Sequence, residues 1–179
     1  MSRVGAVVLA AGEGSRFGGP KQALLLPEVL GRVRATGLAP VVVVEGAHSL
    51  AALELDASTD VTLVRCPEWA LGPGASLRCG LAALADDVAA AVVLLADGPD
   101  LAPEAVARVV AAWRADGAPV VAASYGGRRG HPLLVAREAW EAVPDAGLRE
   151  VTPALVACDD LGEPGDVDHP DDLPPRLAG

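Results

Sequence analysis

The densest run of chemistry-bearing residues is Ala11-Gly12-Glu13-Gly14-Ser15-Arg16-Phe17-Gly18-Gly19-Pro20-Lys21. Its glycines let backbone N–H groups approach and surround a phosphate, and two cations, Arg16 and Lys21, stand in the same stretch. The dinucleotide fingerprint G-x-G-x-x-G fits at Gly12 and Gly14 but meets Phe17 at its third glycine. The P-loop pattern fits at Gly14 and Gly19, yet Pro20 stands where its lysine belongs and Gln22 follows Lys21. On these residues alone, a turn that merely closes a tight connection stays open beside phosphate binding.

Two acidic segments add a second kind of chemistry. In Leu94-Leu95-Ala96-Asp97-Gly98-Pro99 an acid stands where an apolar run ends, and Asp166-Val167-Asp168-His169-Pro170-Asp171-Asp172 brings further carboxylates. Mg2+ takes one or two protein carboxylates together with substrate phosphates, so one Asp from each segment would complete such a site. Solvated turns are the plain alternative, preferred here for Asp171 and Asp172. His131, in Arg129-Gly130-His131-Pro132, is open to a proton-transfer role or to ordinary packing beside the apolar Leu133 to Ala136.

These groups need a scaffold. Apolar runs at Val4 to Ala10, Pro40 to Glu45, Val61 to Arg65, Ala91 to Ala96 and Ala118 to Ser124 have the length and Val content of strands buried on both faces. Helical spacing links Val29, Leu30 and Val33, then Leu77, Leu81 and Leu84, then Val106, Val109, Val110 and Trp113, with Pro103 near the last helix's first turn. A further helix is expected around His48 to Leu55. Alternating strands and helices give a mostly parallel sheet covered on both sides, and such sheets bind ligands beyond the strands' carboxyl ends. The segments that follow the strands, beginning at Ala11 and at Asp97, are therefore where chemistry is expected. No repeat or interdomain linker interrupts residues 1–179, read as one domain whose tail after Cys158 is crowded with Asp, Gly and Pro.

Composition narrows the functions. Lys and Arg number 14 against 24 Asp and Glu, a formal charge of -10, and the only adjacent basic pair is Arg128-Arg129. Nucleic acid, which needs a basic stripe, is excluded as a partner. Mean hydropathy is +0.36, but the apolar runs stop far short of the roughly 20 residues of a spanning helix. Val4 to Ala11 after Arg3 mimics a signal peptide, yet it leads straight into the glycine loop and reads as a buried strand. Cys66, Cys79 and Cys158 show no C-x-x-C spacing and are expected to be reduced core thiols of a cytoplasmic protein.

Taken together and in order, Leu9-Ala10-Ala11-Gly12, Arg16-Phe17-Gly18, Lys21, the Asp97 turn, Gly130-His131-Pro132 and Asp166 to Leu173 resemble the molybdenum-cofactor nucleotidyltransferases, the MobA-like NTP transferases. That family carries an L-A-[AG]-G-x-x-x-R-[MF]-G-x-x-K loop, a D-x-P turn and a late D-x-D-x-P segment. The resemblance implies a three-layer, Rossmann-like α/β nucleotidyltransferase fold with a mostly parallel mixed sheet. It implies NMP transfer from an NTP to a phosphorylated acceptor with Mg2+ and release of pyrophosphate. Leu9, Ala10, Ala11, Gly12, Glu13 and Gly14 would then form the nucleotide loop. Arg16 and Lys21 would neutralise the triphosphate, and Asp97 and Asp168 would hold the metal.

The branch is also implied by resemblance. Alanine at position 11 is similar to the CMP-transferring branch, where the guanylyl branch has glycine; a methyl there would crowd a purine. Trp69 to Leu81, with Gly72, Gly74, Ala75, Ser76 and Leu77, resembles that branch's G-x-x-x-S-L segment, giving Ser76 either a nucleotide contact or an N-cap. Gly130, His131 and Arg149, the last in a D-x-G-x-R match from Asp145, would line the acceptor pocket. CTP and molybdopterin are thus the expected substrates, with a molybdenum enzyme as a recipient. The sequence departs from the family where Pro27 passes at once to Glu28-Val29-Leu30, a shortening expected to reshape one side of the pocket. That leaves two alternatives: another acceptor, such as a sugar phosphate or specialised metabolite, or a non-catalytic nucleotide-binding or cofactor-chaperone protein. A nicotinamide oxidoreductase is disfavoured by Phe17 and by the lack of a suitably placed ribose-binding acid after the second strand, although Glu45 does end that strand.

Overall fold

The computed structural model describes residues 2–53 and 61–177. Among them, β1 (Arg3–Ala10), β2 (Val41–Glu45), β3 (Val61–Arg65), β4 (Val88–Leu95), β5 (Val120–Tyr125), β6 (Arg128–Ala136) and β7 (Ala154–Ala157) form one sheet. Its order is β3-β2-β1-β4-β6-β5-β7, and every pairing is parallel except those of β6 with β4 and β5. The helices are α1 (Lys21–Ala35), α2 (Pro73–Ala82) and α3 (Pro103–Asp116). This is the expected α/β architecture with a mostly parallel mixed sheet.

The apolar runs of the central strands are continuous because both faces are covered. Val92 and Leu94 of β4 pack with Leu26, Val29 and Val33 of α1 and Val106 and Val109 of α3. Ala91 and Val93 alternate to the other face and pack with Leu77 and Leu81 of α2. Helices lie on both sides of the sheet, which makes three layers.

Several local features differ from expectation. The strand β6 was not foreseen, because Arg128 to Pro132 reads as a polar loop and proline argues against a central strand. It returns antiparallel from β5 through Gly126-Gly127, both with positive φ, the signature of a two-residue hairpin turn. The four-residue β7, at the sheet edge, is too short to show a period. No helix covers His48 to Leu53, and the remainder of that expected helix lies outside the described residues. Cys66 and Cys79 are joined in a disulfide rather than being reduced thiols, whereas Cys158 is free and buried. Packing of α2 beside the end of β3 brings the pair to a Cα separation of 5.8 Å, which their spacing in sequence does not reveal.

The shortened passage after Leu26 is absorbed inside α1. Leu25 and Leu26 are fully buried in its inward face, and Pro27 falls on the exposed side. The helix begins at Lys21 itself. Among the described residues no helix is long and apolar enough to cross a membrane.

Candidate functional site

The strand order reverses between β1 and β4, the crevice where open α/β sheets bind ligands. Leu9 is in register with Leu95, and the Ala96 N–H donates to the Leu9 carbonyl at 3.0 Å. The glycine loop after β1 and the Asp97 turn after β4 therefore leave the sheet side by side. They open onto a cleft of about 510 Å³.

The loop leaves an unusual number of donors free. Phe17 and Gly18 N–H groups both return to the Gly14 carbonyl, at 3.0 and 3.1 Å, but the N–H groups of Gly12 to Arg16 donate to no acceptor among the described residues. Gly14 adopts φ 63°, and a Cβ there would run into the Gly19 carbonyl oxygen, so the turn requires glycine. The N-terminus of α1 follows directly, with no side-chain cap and no acid in its first turn. Free amides and a positive helix end together make a place for an anion.

Lys21 lies under this loop. Its ammonium is 3.0 Å from Asp97 Oδ2 and 3.3 Å from Asp168 Oδ1, and donates to the Val167 carbonyl at 2.6 Å. Burial works against its charge, but Asp97 and Asp168 outweigh this and raise its pKa above the ordinary lysine value. Arg16 Nη1 reaches the other oxygen of Asp168 at 2.7 Å from a largely exposed position. The hydrogen bond from Lys21 is the main cause holding the Asp168 carboxyl below its usual range.

The late acidic segment is fixed through its middle residue. Val167 is buried, its N–H donates to the Asp97 carbonyl at 3.1 Å, and its own carbonyl receives Lys21. The carboxylate of Asp172 accepts the N–H groups of Asp168 and His169 at 3.1 and 2.7 Å, so it shapes the turn. Partial desolvation, then the neighbouring charges of Asp97 and Asp168, push the Asp166 carboxyl upward. Negative charge thus gathers around a single buried ammonium. Among the described residues no group of three His, Cys, Asp or Glu side chains forms an all-protein metal cage. Asp97 and Asp168 instead suit an ion that takes two carboxylates and completes its shell with phosphate oxygens.

Leu9, Ala11, Gly12, Gly14, Arg16, Lys21, Ser76, Asp97, Arg149 and Asp168 all border the cleft. Ala10 and Glu13 do not: Ala10 is buried in the core, and Glu13 is exposed, its carbonyl contacting His48 Nε2 at 2.8 Å. Ser76 is not an N-cap, since Gly72 caps α2 and Pro73 begins it; Ser76 is buried in the helix facing the cleft. Gly130 and His131 border a neighbouring cavity of about 340 Å³ that shares Leu95 with the cleft. Burial holds the His131 imidazole down at about 4 despite the opposing charge of Asp97, with Arg129 adding to the depression. Glu45 accepts the Leu50 N–H at 2.6 Å and faces Arg65 at 3.6 Å, which commits its buried carboxylate to the fold.

Wall residues to which the sequence assigned no role include Trp69, Gln22 and Pro73. Trp69 supplies the aromatic surface of the cleft. Gln22 borders it with its side-chain oxygen buried and unpartnered, beside Gly12. Its position one residue after Lys21 was the available signal.

The MobA-like NTP transferase domain matches residues 6–156. The chain belongs to that family. Within and around it, the chain is similar to Rv0371c from Mycobacterium tuberculosis H37Rv, at 26% identity over 99% of this chain and 98% of that one, with a TM-score of 0.81. A homolog of Rv0371c from Mycobacterium sp. strain JC1 is 30% identical over 99% and 96% of the two chains, with a TM-score of 0.79. Rv0371c in complex with manganese matches at 26% identity over 95% of each chain, with a TM-score of 0.74. No curated protein matches the chain.

Proposed function

We propose that the chain transfers CMP from CTP to a phosphorylated acceptor, most favourably molybdopterin, and releases pyrophosphate. The observation that carries this reading is one cleft combining the free amides of Gly12 to Arg16, the buried Lys21 ammonium and the Asp97 and Asp168 carboxylates. Membership of the NTP transferase family supports nucleotidyl transfer in general. Ala11, on the cleft wall, favours a pyrimidine by limiting space, while Trp69 beside it offers a stacking face to the base.

In this reading an acceptor phosphate oxygen attacks the α-phosphorus, a new P–O bond forms, and the bond to the β-phosphate oxygen breaks. The protein supplies position and charge, and no side chain needs to become a nucleophile. The loop amides hold the triphosphate oxygens. Lys21 neutralises the charge that develops on them. Arg16 is available for the same work, because its ion pair with Asp168 is exposed and such pairs are worth about 0–1 kcal/mol. Asp97 and Asp168 would hold Mg2+, whose chemistry is to offset phosphate charge when bound. Manganese in the Rv0371c complex supports a divalent ion in this reading. In this reading the product would supply a molybdenum enzyme.

Calorimetric titration with CTP, GTP, UTP, ATP and NADH, each with Mg2+ and with chelator, tests the proposal. Mg2+-dependent preference for CTP is expected. Preference for a purine triphosphate would remove the cytidylyl reading, and binding of NADH alone would remove nucleotidyl transfer.

A further inference from the structure

We infer that the Cys66–Cys79 disulfide is a reversible latch on the nucleotide cleft: a dithiol reductant opens it, the wall between the two cysteines loosens, and affinity for the nucleotide falls. The inference rests on the nucleotidyl-transfer reading and adds a regulation of that site. Between the joined residues lie Trp69, Gly72, Pro73 and Ser76, all bordering the cleft. A side chain on Gly46 would meet the Ala11 and Trp69 Cβ atoms, each at 2.7 Å, so Trp69 seats on the glycine that also abuts the nucleotide loop. A change in the position of Trp69 therefore reaches the place expected for the base.

The bridge joins two elements that have other anchors. Cys66, just beyond β3, is fully buried and donates its N–H to the Glu45 carbonyl at 2.9 Å, while Leu77 and Leu81 keep α2 on the sheet. The segment between them is held more weakly. The N–H groups of Trp69, Leu71 and Gly72 donate to Cys66, Glu68 and Trp69, inside the segment itself, and Pro67 and Pro73 have no N–H to give. Local turns of this kind open most readily once a covalent closure is removed. The two sulfurs also differ in access, since Cys79 is half-buried and Cys66 is sealed. A thiolate of the reductant attacks the Cys79 sulfur to form a mixed disulfide, and the electron pair of the broken S–S bond leaves on Cys66, which takes up a proton. The second thiol of the reductant then displaces Cys79. Two electrons and two protons pass to the protein as the dithiol becomes a disulfide. The reduced wall must be ordered again whenever nucleotide binds, and that cost appears as weaker affinity.

Oxidised and dithiothreitol-reduced wild type are titrated with CTP and Mg2+ by calorimetry. Iodoacetamide labelling after denaturation counts the thiols: Cys158 alone in the oxidised protein, all three cysteines in the reduced one. Reduction is expected to weaken CTP binding by about tenfold, and re-oxidation to restore it. Amide hydrogen exchange, which needs no ligand, should quicken at Trp69, Leu71 and Gly72 on reduction and stay unchanged in β1 and β4. Cys79→Ser should bind CTP as the reduced wild type does, with or without reductant; the redox cycle of the wild type tests the latch even where that substitution perturbs α2. Equal CTP affinity in both redox states, a reductant response retained in Cys79→Ser, a loss that re-oxidation does not restore, or three labelled thiols after oxidation would each overturn the latch. Failure of CTP to bind in either state would instead remove the function proposed above. In that case, exchange at Trp69, Leu71 and Gly72 that follows the redox state upholds the latch, and exchange indifferent to it overturns the latch.

Discussion

The Lys21 ammonium lies 3.0 Å from the carboxylate of Asp97, joining the first residue of α1 to the second residue beyond β4 across the sheet's switch point. The same ammonium holds the Val167 carbonyl and Asp168, so one cation organises three separate segments. A group so placed is held still before substrate arrives, which is what electrostatic catalysis needs.

Lys21→Ala is therefore expected to lower kcat/KM for CTP at least about tenfold, roughly 1.4 kcal/mol of transition-state stabilisation. Steady-state kinetics with CTP and acceptor checks this. An unchanged kcat/KM would reduce Lys21 to a structural strut.

Asp97→Ala should abolish turnover and leave the fold intact. The backbone carbonyl of Asp97, not its side chain, holds Val167, and the carboxylate itself is partly open to the cleft. Activity measured across a Mg2+ series, with far-ultraviolet circular dichroism as the folding control, separates the two effects. Full activity in this variant sinks the metal assignment.

His131 gives the protein a pH-dependent stability. Its folded pKa of about 4 lies below the ordinary value of 6.5. As pH falls from 6.5 toward 4 the unfolded chain takes up a proton that the folded chain refuses, so stability drops, by up to about 3 kcal/mol. Urea unfolding at pH 4.5 and 7 should show this loss, and His131→Asn should flatten it. An equal pH dependence in the variant would assign the effect to other groups.

The Cys66–Cys79 link closes the segment carrying Trp69, Gly72, Pro73 and Ser76, all on the cleft wall. Reduction should destabilise the protein by about 3 kcal/mol, the scale for a short loop. Thermal unfolding with and without reductant checks the wild type. Cys79→Ser should unfold at the lower temperature in both conditions, and a reductant response retained in that variant would contradict the account.

Much of the scaffold was legible because buried parallel strands need unbroken apolar runs. The run Pro40 to Glu45 contains β2 (Val41–Glu45), the run Val61 to Arg65 coincides with β3, and the spacing of Val106, Val109 and Val110 marks α3. The runs ending in Ala10 and Ala96 likewise located the glycine loop and Asp97. By contrast, β6 was hidden because its first half is polar: those residues leave the core to border the cavities, so their types answer to solvent and neighbours rather than to the sheet.

The sequence by itself determined the alternation of strands and helices, the phosphate-suited loop and the identity of the charged residues, because these depend on local backbone freedom and short-range periodicity. Only the tertiary structure decided that Lys21 sits between Asp97 and Asp168 and that Cys66 meets Cys79. Those relationships are set by which strands are neighbours and how far each loop projects. Long-range pairing of this kind leaves no spacing along the chain from which it can be read.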